Sequence, residues 1–189
     1  MAEVLLFHHA HGLTSGIREF ADELRAAGYV VHTPDLYDGR IFAELIEGVA
    51  YAKQVGFDII LERGERAANS LPRNIVYAGF SMGVMPAQKL AQTRPGAQGA
   101  LLFSACLPMS EFGPWPDGVP AQIHIMEGDE WAQEGDLDAA REIARQVEGA
   151  ELFLYPGDRH LFADGSLPDY DAEAAALLKE RTLKFLARL

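Results

Sequence analysis

What most restricts the fold is an alternation along the chain. Six short apolar runs are separated by longer stretches of helical character. The runs are "EVLLFHH" (3–9), "YVVHT" (29–33), "NIVYAGF" (74–80), "GALLFSA" (99–105), "AQIHIM" (121–126) and "AELFLYP" (150–156), each nearly continuous in apolar or β-favouring residues. A strand with one wet face alternates polar and apolar residues, whereas a strand covered on both faces has no such need. The runs therefore predict an α/β chain with a mostly parallel sheet of about six strands between two layers of helices.

The intervening stretches fit those layers. "GIREFADELRAAG" sets Ile17, Phe20, Ala21 and Leu24 on one helical stripe and stops at Gly28, a residue suited to a C-terminal cap. Residues 41–70 hold a helical pattern interrupted near Gly56 and Phe57, which predicts two helices or a kinked one. "MGVMPAQKLAQ" and "DLDAAREIARQV" follow, the latter with Asp136 or Asp138 as its expected cap, and "DAEAAALLKERTLKFLARL" closes the chain as an amphipathic helix. Residues 106–120 carry four prolines and neither pattern, and read as a surface excursion that overhangs a pocket. At 189 residues, residues 1–189 form one expected domain, long enough to hide roughly 70% of its unfolded surface.

Open parallel sheets bind ligands above the carboxyl ends of their strands, where the strand order reverses. If the second strand lies outside the first and the third returns to its other side, that crevice is walled by "HHAHGLTSG" and "GFSMG". The second loop places Ser81 between Gly79 and Gly83, after a strand and before a helix. A Gly-x-Ser-x-Gly pattern arises by chance in about one ordinary chain in twenty at usual glycine usage, so its context decides. A serine hydroxyl needs a base to take its proton, a carboxylate to orient that base, and donors for the oxyanion. Asp129 follows the fifth strand in "MEGDEW" and His160 follows the sixth in "YPGDRHLF". The order Ser81, Asp129, His160 is the one used by nucleophile-elbow hydrolases. Glu127, Glu130 and Asp136 compete with Asp129 by proximity, and Asp158 is assigned to the turn. The expected oxyanion donors are the backbone amides of Met82 and of Ala10 or His11.

Sixteen basic against 28 acidic residues give a formal charge of −12, which repels phosphate backbones and anionic lipid. Nucleic acid and membrane are therefore not expected partners. "MAEVLLFHHAHG" lacks a basic leader and a spanning apolar run, so a soluble, cytoplasmic protein is expected. Cys106, the single cysteine, excludes a disulfide framework and reads as a small buried hydrophobe. His9 and His11 invite a metal reading, but three or four ligands are needed and a hydrogen-bonded loop explains them more simply; no metal and no cofactor is implied. His32 and His124 read as satisfied structural histidines. Trp115 and Trp131 are candidates for lining an acyl or alcohol pocket.

The elbow "GFSMG", the loop "HHAHG", the helix "IREFADELRAAGY" leading into "VVHTPDLYDGR", the acid in "IMEGDEW", the histidine in "YPGDRHLF" and the C-terminal helix resemble, through nearly the whole chain, the dienelactone hydrolase family. The resemblance implies a three-layer α/β-hydrolase fold without the first two antiparallel strands of larger relatives. It also implies hydrolysis of a small ester or lactone through an acyl-enzyme; a monomer or homodimer is expected. Ser81 stands where the family carries cysteine and His9 where it carries a glutamate that activates the thiol, so ordinary serine chemistry is expected. Arg40 lies about one position beyond the family's substrate-binding arginine; with His9, His11, Tyr37, Trp115 and Trp131 it completes the substrate-binding candidates. A catalytically silent binding protein and an acyltransferase using the same triad are the alternatives.

Overall fold

The computed structural model describes residues 2–132 and 135–189. Among them, six strands form one sheet: β1 (Glu3–Phe7), β2 (Val30–His32), β3 (Val76–Phe80), β4 (Gly99–Phe103), β5 (Ala121–Met126) and β6 (Glu151–Tyr155). Every adjacent pair is parallel and the order is β2-β1-β3-β4-β5-β6. The helices are α1 (Ser15–Ala26), α2 (Leu45–Val55), α3 (Phe57–Ala68), α4 (Val84–Thr93), α5 (Asp136–Gln146) and α6 (Ala172–Leu186). None among the described residues is long and apolar enough to cross a membrane.

Strand alternation sorts the core into two layers. Val4, Leu6, Val76, Ala78, Phe80, Leu101 and Phe103 share a cluster with Ile17, Phe20, Ala21 and Leu24 of α1 and Leu178 and Phe185 of α6. Their neighbours in sequence, Leu5, Phe7, Tyr77, Ala100 and Leu102, face α3, α4 and α5 through Ile60, Val84, Leu90 and Ile143. Because consecutive strand residues point to opposite faces, an unbroken apolar run supplies both layers at once. The first layer is rich in rings, with Phe80 and Phe103 at 4.5 Å and Phe20 edge-on to Phe80 at 5.3 Å. Truncating one of these rings to alanine costs about 3–5 kcal/mol.

Element ends differ from the sequence reading in small, explicable ways. Runs read to residues 9 and 105 stop at Phe7 and Phe103. After Phe103, Ser104 adopts φ 63, which extended pairing does not allow. The break expected near residue 56 is real: Gly56, at φ 100, joins α2 to α3. The expected cap of α5 is corrected. Gly135 holds the N-cap position at φ 100, Asp136 is the first helical residue, and no side-chain cap bond forms. Thr14 caps α1 and Asp171 caps α6 through their side chains.

The strand order fixes where chemistry can occur. β2 lies outside β1 and β3 on its other side, so the loops leaving β1 and β3 flank the point of reversal. Since all strands run parallel, the loops after β5 and β6 emerge over the same rim.

Candidate active site

Ser81 follows β3 directly and opens a short 3-10 turn, Ser81–Gly83, that feeds α4. Its φ of 48 lies in the left-handed region, which a residue with a side chain enters only when its surroundings compel it. The flanking glycines show how tight the reversal is. A Cβ on Gly79 would stand 2.1 Å from the Gly83 carbonyl oxygen, and one on Gly83 would stand 2.6 Å from that of Phe7 and 2.7 Å from that of His8. No side chain fits at either position, so the Gly-x-Ser-x-Gly spacing is a steric requirement of this turn.

The Ser81 hydroxyl lies 2.7 Å from His160 Nε2, and His160 Nδ1 lies 2.7 Å from Asp129 Oδ2. A carboxylate can only accept, so Nδ1 carries the proton and Nε2 is left to accept from the hydroxyl. Asp129 is wholly buried and His160 nearly so. The other Asp129 oxygen accepts the Trp131 amide at 3.0 Å, which fixes the carboxylate. Asp129 is thus the acid that reaches His160.

A second histidine–aspartate pair lies behind the loop after β1. His9 Nε2 donates to Asp164 Oδ2 at 2.7 Å, while His9 Nδ1 accepts the His11 amide at 3.3 Å. Thr14 Oγ1 donates to the same Asp164 oxygen at 2.6 Å, and the Ser166 amide and hydroxyl donate to Oδ1 at 2.8 and 2.6 Å. These donors hold the Asp164 carboxyl down at about 2 against the opposing effect of burial. Burial dominates at His9 and depresses its imidazole to about 4 despite the adjacent carboxylate, so the ring is neutral. Further contacts set the loop's position: the Phe42 amide donates to the His11 carbonyl and the His11 ring donates from Nδ1 to the Phe42 carbonyl, both at 2.9 Å. α2 comes so close that a Cβ on Gly48 would be 1.8 Å from the Ala10 carbonyl oxygen.

Beside Ser81 opens a cavity of about 170 Å³. Ser81 and His160 lie at one side of it, and Met85, Ala105, Leu107, Trp131 and Asp136 contribute walls. Burial pushes the Asp136 carboxyl up to about 6; the Asp129 charge adds to that, while the Cys106 amide and His160 oppose it.

The structure redistributes the substrate-binding candidates. Among the described residues Trp131 walls the Ser81 cavity and the other five do not. Tyr37 is fully buried, donating from its hydroxyl to the Gly48 carbonyl with Met82 Sδ at 3.1 Å, so it supports the elbow from below. Arg40 lies over the Tyr51 ring. Trp115 donates from Nε1 to the Val119 carbonyl and lines a separate groove of about 750 Å³ formed by the 109–118 loop and α5. That excursion therefore overhangs the groove, although Leu107 at its start does reach the Ser81 cavity. His9 and His11 are buried in the network described above. The His11 amide is spent on His9, which leaves Ala10 as the candidate oxyanion donor from this loop. His32 pairs with Glu3 at 2.6 Å and His124 with the Tyr155 hydroxyl at 2.8 Å, as expected of structural histidines. Cys106 is buried, and burial raises its thiol well above the usual range.

One buried carboxylate behind the site, Asp164, escaped the sequence reading. Asp164 was masked by its separation of 155 residues from His9; the turn-forming "ADGS" was its faint local signal. Asp136 was weighed against Asp129 and is instead a wall of the cavity.

Comparison with known proteins bears on the family and the fold. A family model described as the dienelactone hydrolase family matches residues 1–189. A dienelactone hydrolase candidate from Klebsiella pneumoniae superposes with a TM-score of 0.79 at 18% identity, covering 100% of this chain and 88% of that one. A dienelactone hydrolase-like promiscuous phosphotriesterase from metagenomic libraries gives 0.75 at 21%, covering 100% and 87%. A cold-adapted esterase from an Arctic intertidal metagenomic library gives 0.66 at 18%, covering 95% and 82%. At these identities the structural likeness is one of fold, the α/β-hydrolase fold. Among curated proteins no sequence matches.

Proposed function

The chain belongs to the dienelactone hydrolase family, and from that premise we propose that it cleaves a small carboxylic ester or lactone by way of an acyl-enzyme on Ser81. His160 Nε2 takes the hydroxyl proton as Oγ bonds to the carbonyl carbon. Asp129 holds the ring in the required tautomer and stabilises the imidazolium that forms. The amides of Met82 and Ala10 receive the oxyanion. Met82 suits that task because it sits where the chain turns into a helix and backbone N–H groups lack helical acceptors. On collapse, the carbon–oxygen bond to the alcohol breaks and the leaving oxygen receives the proton from His160. Water then repeats the sequence, giving its proton to His160 and its oxygen to the acyl carbon, and Ser81 is regenerated with the free acid.

The observation that carries the reading is the continuous relay from Ser81 Oγ through His160 to a buried Asp129, with both links at 2.7 Å. Neutral His9, already committed at both nitrogens, supplies no charged switch, and serine chemistry does without one. A cytoplasmic setting suits a lone, buried Cys106. A fluorophosphonate probe tests the proposal, since an unactivated serine reacts negligibly with it. Mass spectrometry is expected to find the adduct on Ser81. An intact protein that remains unlabelled would overturn the assignment.

A further inference from the structure

The Ser81 cavity is small and lopsided in charge. Its volume corresponds to about six waters at roughly 30 Å³ each, room for a short acyl or alkoxy chain. Met85, Ala105 and Leu107 provide an apolar stem-binding side. Among the described residues the wall holds one carboxylate, Asp136, and no lysine or arginine. Asp136 is half-buried at the first turn of α5, and beside it Trp131 is 51% exposed, its ring 6.0 Å from that of His160.

A carboxylate and an accessible indole lining one cavity are complementary to a cation, by charge attraction and by the negative face of the ring. They are repulsive to an anion at the same place. The formal charge of −12 extends this bias, raising the concentration of cations near the cavity. Resting on the esterase reading above, we infer that Asp136 and Trp131 are specificity determinants that select esters carrying an ammonium group a few bonds from the scissile carbonyl.

The groups facing Asp136 set the pH above which it is ionised. These are Asp129 after β5, His160 after β6 and the Cys106 backbone after β4, and burial together with the Asp129 charge lifts the carboxyl to about 6. Above that pH the side chain is an anion, and below it the attraction fades. The Cys106 amide and His160 offset part of the desolvation of this carboxylate, and a cation bound in the cavity would offset the rest.

Three nitrophenyl esters of matched length test the inference: 4-(trimethylammonio)butanoate, its neutral isostere 5,5-dimethylhexanoate, and the monoester of glutarate. At pH 8 the wild-type kcat/KM for the cationic ester is expected to exceed that for the neutral one by about tenfold, with the anionic ester slowest. In Asp136→Asn the cationic-to-neutral ratio is expected to fall toward one, and in Trp131→Leu to fall partway. Because each ratio compares substrates in the same sample, partial misfolding of a variant leaves it unaffected. A wild-type ratio at or below one, or a ratio that Asp136→Asn leaves unchanged, overturns the inference while leaving the esterase reading intact. Failure of the wild type to turn over any of the three, or nitrophenyl acetate as a fourth substrate, overturns both.

Discussion

Among the described residues, two histidine–aspartate pairs on this rim of the sheet close to an N···O distance of 2.7 Å, yet their remaining nitrogens meet opposite surroundings. In one, Asp129 takes His160 Nδ1–H and leaves Nε2 facing a serine hydroxyl at a cavity. In the other, Asp164 takes His9 Nε2–H, and the remaining nitrogen is closed off by a backbone amide. The pair itself is therefore no mark of catalysis. What the free nitrogen meets decides between a relay and a brace. The brace ties "HHAHG", which carries the candidate oxyanion donor, to the loop after β6, which carries His160. It also anchors α1, because Thr14 both caps that helix and donates to Asp164.

The sharpest way to break this contrast is at the relay. Ser81→Ala is expected to lower kcat for an activated short ester by roughly 10⁴ to 10⁶ with the fold retained, as steady-state kinetics and circular dichroism would report. Undiminished turnover would remove Ser81 from the mechanism. Next comes Asp129→Asn, which leaves His160 free to adopt the wrong tautomer and should cost about 10⁴ in kcat; a loss under tenfold would make this pair a brace as well. Asp164→Asn is the matched change on the other side. Its new amide must either turn its NH₂ toward the Ser166 donors, which are part-buried, or toward His9 and Thr14, which are buried, so a donor loses its acceptor whichever way it lies. Urea unfolding should show a stability loss of about 1–3 kcal/mol. A fall in kcat as large as that of Asp129→Asn, without loss of stability, would contradict the assignment.

The smallest expected effect is on pH. His9 sits near 4 in the folded chain against an ordinary 6.5, and His124, buried with Arg181 nearby, sits near 3. Folding favours their neutral forms, so their contribution to stability is complete above about pH 6.5 and is lost as the pH falls toward 4 and 3. Asp164, held near 2 against an ordinary 3.8, contributes fully above 3.8 and loses its share only as the pH approaches 2. Asp136, lifted to about 6 against an ordinary 3.8, works the other way and gains stability as the pH falls between these values, so urea midpoints are best compared in an Asp136→Asn background, where they should begin to decline below pH 6.5. His9→Asn should flatten part of that decline; an unaltered profile would show that His9 is not neutral in the fold.

The sheet was legible because a strand buried on both faces writes an unbroken apolar run, and six of them leave few arrangements. The relay was legible because strand ends in a parallel sheet share one rim, so a serine, an acid and a histidine placed after β3, β5 and β6 converge without any information about side chains. Residues whose part depends on depth were not legible. Tyr37 and Arg40 follow β2 closely in sequence, yet Tyr37 is drawn wholly inside by Gly48 and Met82 while Arg40 stays over Tyr51. Trp115 looked equivalent to Trp131 until its indole N–H found the Val119 carbonyl in another groove. Asp164 acquires its part from contacts some 150 residues away, which no local pattern encodes.

The left-handed backbone at Ser81 bears on how the nucleophile should be interrogated. Alanine inherits the same unfavourable φ, so that exchange subtracts an oxygen and nothing else, whereas glycine would also release conformational tension stored in the bend. A Ser81→Gly chain that proved sturdier than its parent while inert would reveal the elbow as a place where reactivity is kept at the expense of durability.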